Sequence, residues 1–497
     1  MGTYLEALDR VFRQHARRPA LRFASAIITY AALHDRVRRG AAGLRAIGIR
    51  PGDRVAICLA DKESAIVANL STLFAGGVAL PVNHRYTRGE LKYLLSDSGA
   101  NVIIVDPDRR ALVQSIRAES TQLGPVVVLS DTPDGSARTY RPPRVGPDDA
   151  CLLVYSSGTT GWPKGVVHTQ STLAHGLAAL GEAWRVSSDD VVLNVLPLFH
   201  VHGLVFALHL PLSFGATVRV APSFEPHAAV AMIGESSIFM AVPTIYYRLL
   251  ETAIFREAAR HWSRARLFTC GSAPVRADVL PTLESILHRP VINRYGMTEA
   301  LVIASLPLGG PWPHGSVGLP LKGMGLRVTG EGGILARAGE IGSIEIRGPS
   351  LFRRYWGRPD ATAAAFHDGW FDTGDLGSVD ARGFLTLVGR KNDLIITNGY
   401  NVYPPVVERV INACPGVRES AVLGVPDRLR GERVVATVVV DDRTTDEAFI
   451  RGFLDARLVD YQRPVEIRLV ASLPRNAMGK VLRTDLAALF ESERDTA

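Results

Sequence analysis

The chain has few cysteines, and their spacing matches neither a metal site nor a set of disulfide bonds. Its 497 residues include four, Cys58, Cys151, Cys270 and Cys414, which lie far apart and form no CxxC pair. This spacing argues against a zinc site and against a disulfide framework, and it favours a reducing compartment, the cytoplasm. The first twenty residues hold no continuous apolar segment, so we expect no secretory signal.

Long uninterrupted apolar runs are also missing. The most apolar stretch, from residue 191 to residue 220, is broken by Pro197 and Pro211 and contains three histidines. A membrane-spanning helix needs about 20 apolar residues, and each histidine would be costly in lipid. The stretch is therefore predicted to form a strand, a loop, a buried helix and a second strand, and no transmembrane segment is expected.

The charge is positive but not concentrated. The net charge is +7, yet no dense Lys/Arg stripe with interleaved aromatic residues is present, so nucleic acid is not an expected partner. Small polyanions such as nucleotides and coenzyme A remain suitable partners. The apolar fraction of 47% and the charged fraction of 21% are typical of a folded protein. Its length predicts two to four compact units, and its oligomeric state is left open.

The distribution of apolar residues predicts an α/β protein with two domains. Short β-branched runs begin near residues 54, 101, 125, 151, 191, 237 and 265, with helical patterns between them. Such runs indicate parallel sheets covered on both faces. From about residue 315, alternating Gly-punctuated segments predict a small antiparallel, β-barrel-like subdomain. We predict a large domain over 1–388, a hinge at 389–393 and a small α+β domain over 394–497.

One loop carries the features of a phosphate-binding site. The segment 154–169 reads VYSSGTTGWPKGVVHT, in which Ser and Thr hydroxyls, glycines and Lys164 follow an apolar strand. Glycines let backbone N–H groups converge on an anion, and the hydroxyls and the lysine add donors and charge. It is not a Walker A loop, because Pro163 separates Gly161 from Lys164. The alternative is a flexible surface turn.

This loop resembles the phosphate loop of the adenylate-forming superfamily, which includes acyl-CoA synthetases, peptide-synthetase adenylation domains and firefly luciferase. Further matching motifs follow in the family's order: GSAP at 271, RYGMTE at 294, FDTGD at 371, GRKNDLIITNGYNVYP at 389 and PRNAMGK at 474. The resemblance covers nearly the whole chain. It implies the luciferase-like fold, in which a large N-terminal domain is followed by a small mobile C-terminal domain.

The resemblance also implies the reaction and its cofactors, namely ATP, Mg²⁺ and coenzyme A. A carboxylate attacks the α-phosphorus of ATP to give an acyl-adenylate and pyrophosphate, and a thiol then displaces AMP. The substrate is itself the nucleophile, so the protein must supply positioning and electrostatic stabilisation.

The same resemblance assigns site residues. Catalytic roles fall on Lys480, Thr298, Glu299 and Lys164, and the metal ligand is Glu299. Nucleotide and coenzyme binding fall on Ser156, Ser157, Gly158, Thr159, Thr160, Gly161, Trp162, Pro163, Lys164, Ser272, Ala273, Pro274, Tyr295, Gly296, Met297, Thr298, Asp375, Arg390, Gly399 and Lys480. Tyr295 is expected to stack on adenine, and Asp375 to accept hydrogen bonds from the ribose hydroxyls with help from Arg390. The alternative interpretation of Glu299 is an ordinary carboxylate on the protein surface.

Two implied features concern the small domain. Lys480 is expected to reach the α-phosphate during adenylation, so the two domains must close. Without the motif, a lysine near a C-terminus would be interpreted as a solvent-exposed surface charge. The small domain then rotates and brings Gly399 to the thiol tunnel. The pivot falls on Asn392, where the family usually has Asp or Lys.

Three stretches, LPLFHVHGL, VPTIYYRLL and RYGMTE, resemble malonyl-CoA synthetases. There Arg248 and Arg294 would neutralise the distal carboxylate, with His202 nearby. Otherwise Arg248 is a helix-surface charge and His202 a core or gate histidine. The apolar segment ALVIASLPLGG, which follows RYGMTE, favours a substituted malonate or a medium-chain fatty or aryl acid.

The expected activity is that of a free acid–CoA ligase that acts on malonate or a substituted malonate. The alternative is a stand-alone adenylation enzyme that loads a carrier protein. A non-catalytic nucleotide-binding homologue is a further alternative, which intact Glu299, Asp375 and Lys480 argue against.

Overall fold

The computed structural model describes residues 2–119, 127–129, 131–156, 162–275, 279–441, 445–475 and 481–491. Its α-helices are α1 (Tyr4–Gln14), α2 (Tyr30–Ala46), α3 (Lys62–Phe74), α4 (Arg88–Ser98), α5 (Arg110–Glu119), α6 (Gln170–Ala183), α7 (Leu210–Ser213), α8 (Pro226–Gly234), α9 (Pro243–Leu250), α10 (Ile254–Ala259), α11 (Val279–Leu287), α12 (Pro359–Ala364), α13 (Pro404–Asn412), α14 (Glu447–Asp455) and α15 (Arg483–Glu491). Within the described residues, no helix is long and apolar enough to cross a membrane.

The strands are β1 (Pro19–Arg22), β2 (Ile27–Thr29), β3 (Arg54–Cys58), β4 (Val78–Pro81), β5 (Val102–Val105), β6 (Val127–Leu129), β7 (Ala150–Ser156), β8 (Lys164–Thr169), β9 (Val191–Asn194), β10 (Thr217–Val220), β11 (Ile238–Ala241), β12 (Leu267–Cys270), β13 (Val291–Met297), β14 (Leu301–Ser305), β15 (Ser316–Pro320), β16 (Gly325–Thr329), β17 (Gly342–Arg347), β18 (Arg354–Tyr355), β19 (Phe366–His367), β20 (Trp370–Val379), β21 (Leu385–Arg390), β22 (Ile395–Thr397), β23 (Tyr400–Val402), β24 (Val417–Asp427), β25 (Gly431–Val440) and β26 (Glu466–Leu469). The predicted apolar strands are all present.

Two sheets form the large domain. In the described part of the chain, one sheet has the order β18-β8-β7-β4-β3-β5-β6, with parallel pairing from β7 to β6 and antiparallel pairing of β8 and β18. The other is parallel from β13 through β12, β11, β9 and β10 to β1. Beyond β13 it continues through the antiparallel strands β14, β15, β21, β20, β17 and β16. The predicted antiparallel region is thus hydrogen-bonded to the parallel sheet.

Both faces of each sheet are covered by helices, as predicted. Along β3, Val55 and Ile57 pack in the core that contains α2, α3 and α6, whereas Ala56 and Cys58 pack against α4 and α5. Because successive strand residues point to opposite faces, a strand buried on both sides must be apolar throughout. This is why the α/β prediction is confirmed. All four cysteines are buried thiols.

The apolar stretch 191–220 forms a strand, a loop, a buried helix and a strand, as predicted, but the helix begins as a π-helix over His202–His209. The N–H of Leu210 bonds to the carbonyl of Val205, five residues earlier. Pro211 has no N–H with which to continue an α-helical ladder. The wider turn of the π-helix accommodates the chain at this point, and π-helices of this kind are frequent at functional sites.

The small domain is an α+β unit. Its sheet has the order β23-β22-β25-β24, with β26 on β25, and α13 and α14 pack on one face while α15 packs on the other. The strand β21 extends to Arg390, so the first two residues of the predicted hinge still pair with β20. A 3₁₀ turn over Lys391–Asp393 follows directly. The domain boundaries themselves stay a prediction.

Candidate active site

The two ends of the phosphate loop are brought together by a β-hairpin. Strands β7 and β8 pair antiparallel, so that Ser156 lies opposite Lys164. The Ser156 hydroxyl donates to the Lys164 carbonyl at 3.4 Å, and the Lys164 ammonium lies 5.1 Å from the centre of the Tyr355 ring. The assigned residues between these ends, Ser157, Gly158, Thr159, Thr160 and Gly161, and also Lys480, lie outside the described residues.

Helix α4 holds the distal end of this loop. The ring of Tyr93 stacks on Trp162 at 4.5 Å with an interplanar angle of 23°, and its hydroxyl donates to the Pro163 carbonyl at 2.7 Å. Local sequence fixes the helix: Thr87 and Glu90 form a capping box at its start. Trp162 and Pro163 are therefore packed against a rigid element although Trp162 is 61% exposed.

Glu299 is a buried carboxylate that accepts a hydrogen bond from the Tyr355 hydroxyl at Oε1, at 3.0 Å. Burial raises the pKa of Glu299 above its ordinary value, partly offset by Tyr355, Arg390 and Lys164. Burial makes the ionised form of this carboxylate unfavourable unless a positive charge is close to it. A hard cation such as Mg²⁺, which prefers oxygen ligands, would supply that charge. Within the described ranges no group of three His, Cys, Asp or Glu could hold a metal.

The neighbouring Thr298 is held through its backbone. Its carbonyl accepts a hydrogen bond from Nε2 of His168, at 2.7 Å, and Nδ1 of His168 lies 3.2 Å from the Thr172 hydroxyl. His168 is the last residue but one of β8, which starts at Lys164, and burial lowers the pKa of His168 to about 4. His168 therefore stays neutral and joins the phosphate-loop hairpin to the turn that carries Glu299.

Asp375 lies within β20, opposite the last residue of β21. Tyr295 donates its hydroxyl to Oδ2 of Asp375, and Nε of Arg390 lies 2.9 Å from Oδ1. Asp375 and Arg390 are also register partners in the sheet. Burial and the Asp375 charge raise the pKa of Tyr295 well above its ordinary value. The structure thus brings together three of the residues assigned to the nucleoside.

A second cluster centres on Arg294, which precedes Tyr295 on β13. The Arg294 guanidinium is buried, lies 4.9 Å from the Phe206 ring centre, and donates through Nη2 to the Ser272 hydroxyl at 3.1 Å. Gly271 leaves room for it, because a Cβ there would lie 2.7 Å from Nε. The Ser272 oxygen also lies 3.2 Å from Nδ1 of His202. Of the predicted acid-binding residues, Arg294 and His202 therefore come together.

Arg248 lies apart from that cluster in the described contacts. It is exposed on α9, with its guanidinium 4.9 Å from the centre of the Phe224 ring. This arrangement matches the alternative of a helix-surface charge. The assignment of Arg248 to the acid pocket stays a prediction that no described contact supports.

Gly399 occupies a tight turn in the small domain. Asn398 and Gly399 join β22 to β23 with φ of +51° and +80°, as a two-residue Asn-Gly hairpin turn requires. Next to this turn is a cavity of about 310 Å³ lined by Tyr400, Arg430, Tyr461 and Arg463, among others. The rings of Tyr400 and Tyr461 stack at 4.5 Å.

The remaining assigned residues lie between these clusters. Ala273 is half-buried and Pro274 exposed, directly after Ser272. Gly296 and Met297 end β13, and a Cβ at Gly296 would lie 2.1 Å from the Leu301 carbonyl oxygen. Sequence reasoning missed Tyr355, His168 and Tyr93. Only His168 had a signal, because it lies within the segment 154–169 that carries the loop motif.

Comparison with known proteins agrees with this geometry. The model of the AMP-binding enzyme family matches residues 8–356, and that of the AMP-binding enzyme C-terminal domain matches 406–480. The chain is 36% identical to feruloyl-CoA synthase from an Amycolatopsis species over 486 residues, 95% of this chain and 96% of that protein. It is 34% identical to the mitochondrial malonate–CoA ligase of Bos taurus over 480 residues, 87% of this chain and 81% of that protein.

The fold is similar to that of ATP-bound MatB from Rhodopseudomonas palustris. The TM-score is 0.91 and the sequence identity 37%, and the match covers 98% of this chain and 99% of the MatB chain.

Proposed function

The chain belongs to the AMP-binding enzyme family and is an ATP-dependent, AMP-forming acid–CoA ligase, and on that premise we propose that its acid is malonate or a substituted malonate. The acid attacks the α-phosphorus of ATP and pyrophosphate leaves. The thiol of coenzyme A then attacks the acyl carbonyl and AMP leaves.

The observation that carries the choice of acid is Arg294. It is 4% exposed, it has no acidic partner among the described residues, and its Nε has no hydrogen-bond acceptor there. Burial lowers its pKa to about 10, so it remains a cation at neutral pH. A buried charge without a counter-ion is strongly unfavourable, and a second substrate carboxylate would provide that counter-ion.

The apolar residues after the RYGMTE motif do not favour a fatty or aryl acid over this proposal. All five residues of β14 are buried and most belong to the main core. Leu301 packs against Gly176 of α6. Core packing alone therefore accounts for the apolar composition of this strand.

We assign the other residues around ATP as follows. Lys164 would offset phosphate charge, and Asp375 with Arg390 would bind the ribose hydroxyls. Glu299 would hold Mg²⁺, which when bound offsets the charge of the phosphate oxygens. Tyr355 holds Glu299, Tyr295 holds Asp375, and the register of the hairpin positions Lys164. These side chains would therefore need little rearrangement when ATP and the acid bind.

The cavity beside Gly399 supports a site for the nucleotide part of coenzyme A. Tyr400 is 55% exposed, so one face of the stacked tyrosine pair is open to an adenine ring. Arg430 borders the same cavity and can pair with phosphate. The thiol end of the coenzyme would then pass the Asn398–Gly399 turn.

Incubation with ATP, Mg²⁺, coenzyme A and single acids, followed by mass spectrometry of the thioesters, tests the proposal. We expect malonyl-CoA or a substituted malonyl-CoA from free coenzyme A, with octanoate and ferulate as poor substrates. Arg294→Met should lower kcat/KM for malonate at least about 30-fold, since truncating one member of a buried charge pair costs about 2–5 kcal/mol.

Arg256→Ala is the matched control, because it removes an exposed arginine on α10 that has no assigned role. Selective use of ferulate or octanoate would refute the choice of acid. Thioester formed on a carrier protein but never on free coenzyme A would support the loading alternative instead.

A further inference from the structure

Two buried side-chain nitrogens in the same cluster have no hydrogen-bond partner among the described residues. They are Nε of Arg294 and Nε2 of His202. Both side chains contact the Ser272 hydroxyl, Arg294 through Nη2 at 3.1 Å and His202 through Nδ1 at 3.2 Å. Buried polar atoms are nearly always paired in folded proteins, so two unpaired ones in a single cluster point to a ligand.

The chemistry of the three groups favours one direction for their hydrogen bonds. A guanidinium only donates, so Ser272 accepts from Arg294. The Ser272 oxygen has a second lone pair, but among the described hydrogen bonds Nδ1 of His202 is the acceptor within reach of the Ser272 proton. The His202 ring is neutral because burial, Arg294 and His200 lower the pKa of His202 well below its ordinary value. A neutral ring that accepts at Nδ1 carries its proton at Nε2. The unpaired Nε2 is therefore an N–H donor.

We propose that Ser272 is a positioning residue for acid selection. Its hydroxyl accepts a hydrogen bond from Arg294 and donates one to Nδ1 of His202. The imidazole proton is thereby held on Nε2, which becomes a second donor to the distal carboxylate. This inference rests on the proposed function and deepens it. The pocket then offers one positive charge and two unpaired N–H donors, which matches one extra carboxylate. A methyl group in place of the distal carboxylate would leave both donors unsatisfied.

The backbone at Ser272 supports a role for its hydroxyl. Its φ is +73°, in the left-handed region that glycine adopts without strain. Gly271 precedes it and lies against Arg294. Strain of this kind persists where the surrounding structure requires a particular side chain, and it is concentrated at active sites and ligand clamps. Here the side chain supplies the only described oxygen that contacts both Arg294 and His202.

The first test reads the imidazole proton directly and does not depend on the acid. We expect ¹⁵N-histidine NMR of the ligand-free enzyme to report His202 as neutral with its proton on Nε2, the signal being assigned by its loss in His202→Gln. In Ser272→Ala the preference for that tautomer should weaken. Protonation of His202 on Nδ1, or on both nitrogens, would overturn the proposal.

The second test uses substitutions that mimic one nitrogen each. The Gln amide reaches the position of Nε2, whereas the Asn amide reaches only that of Nδ1. We expect His202→Gln to keep kcat/KM for malonate within about 10-fold and His202→Asn to lose about 10- to 100-fold, the effect of one hydrogen bond to a charged group. Equal activity of the two variants would overturn the proposed donor at Nε2.

The third test separates the hydroxyl from the backbone. Ser272→Ala and Ser272→Gly both remove the hydroxyl, but only glycine relieves the strain. Both should raise the KM for malonate about 10-fold or more, and more than the KM for ATP. Recovery in the glycine variant, or equal changes in both KM values, would overturn the proposal. If the unmodified enzyme does not use any dicarboxylate, the proposed function has failed, and the NMR result then shows separately whether Ser272 sets the tautomer.

Discussion

At the residue scale, Glu299 combines its proposed role as a metal ligand with a cost in stability. Burial raises its pKa above the ordinary value of 4.5. As the pH rises through the raised pKa, the folded protein must ionise a buried carboxylate that the unfolded chain ionises freely. The free energy of unfolding therefore falls with rising pH in this range, and it is restored below about pH 4.5.

Glu299→Gln tests this. The amide oxygen keeps the hydrogen bond from Tyr355, but the charge is gone. We expect the ligand-free variant to have a Tm about 1 to 3 °C above that of the unmodified enzyme at pH 8, with the difference vanishing towards pH 4.5, measured by thermal denaturation. Adenylation should fall at least about 100-fold, because the metal ligand is lost.

The exposed Glu284 on α11 provides the matched control, since Glu284→Gln removes an acid without altering a buried one. If Glu299→Gln were less stable than the unmodified enzyme at pH 8, ionisation of the buried Glu299 carboxyl would not destabilise the folded protein, and the prediction would be wrong.

At the scale of elements, the packing of Tyr93 on Trp162 predicts an effect on ATP binding alone. Trp162→Ala removes the stacked ring that holds the end of the phosphate loop against α4. We expect the KM for ATP to rise about 3- to 10-fold, since such aromatic pairs contribute about 0.5–1.5 kcal/mol. Initial-rate kinetics of adenylation would measure this.

Trp162→Phe preserves a stacking ring and should stay close to the unmodified enzyme. Tyr93→Phe removes only the hydrogen bond to Pro163, so its effect should be intermediate. If Trp162→Ala raised the KM for the acid as much as that for ATP, the proposed anchoring of the loop would be wrong.

The elements also divide into those that sequence predicts and those that it does not. The strand at 54–58 was predictable because a strand buried on both faces must be continuously apolar. The π-helix over His202–His209 was not, because apolar periodicity does not distinguish a π-turn from an α-turn. Motifs located Glu299, but they could not locate its partner Tyr355, which is 56 residues away and meets it only in the folded chain.

At the scale of the whole molecule, the proposed nucleotide site borders the predicted hinge directly. Arg390, which pairs with Asp375, ends β21, and the 3₁₀ turn over Lys391–Asp393 follows without a spacer. Nζ of Lys391 bonds to Asp372 at 2.6 Å and ties this turn to the large domain. A rotation at Asn392, as the resemblance predicts, would therefore move the small domain while the ribose pair stays in place.

Rotation of this kind predicts that the two half-reactions can be separated by one substitution in the small domain. Lys480→Ala should lower acid-dependent pyrophosphate exchange at least about 100-fold. The reason is that the variant lacks the positive charge that offsets the negative charges of the substrate carboxylate and the α-phosphate as they come together. Thioester formation from a supplied acyl-adenylate should largely survive, since that half uses the rotated domain. Lys322→Ala removes an exposed lysine of the large domain and serves as control. Equal loss of both half-reactions in Lys480→Ala would contradict the assigned role, because a lysine withdrawn by rotation cannot act in both.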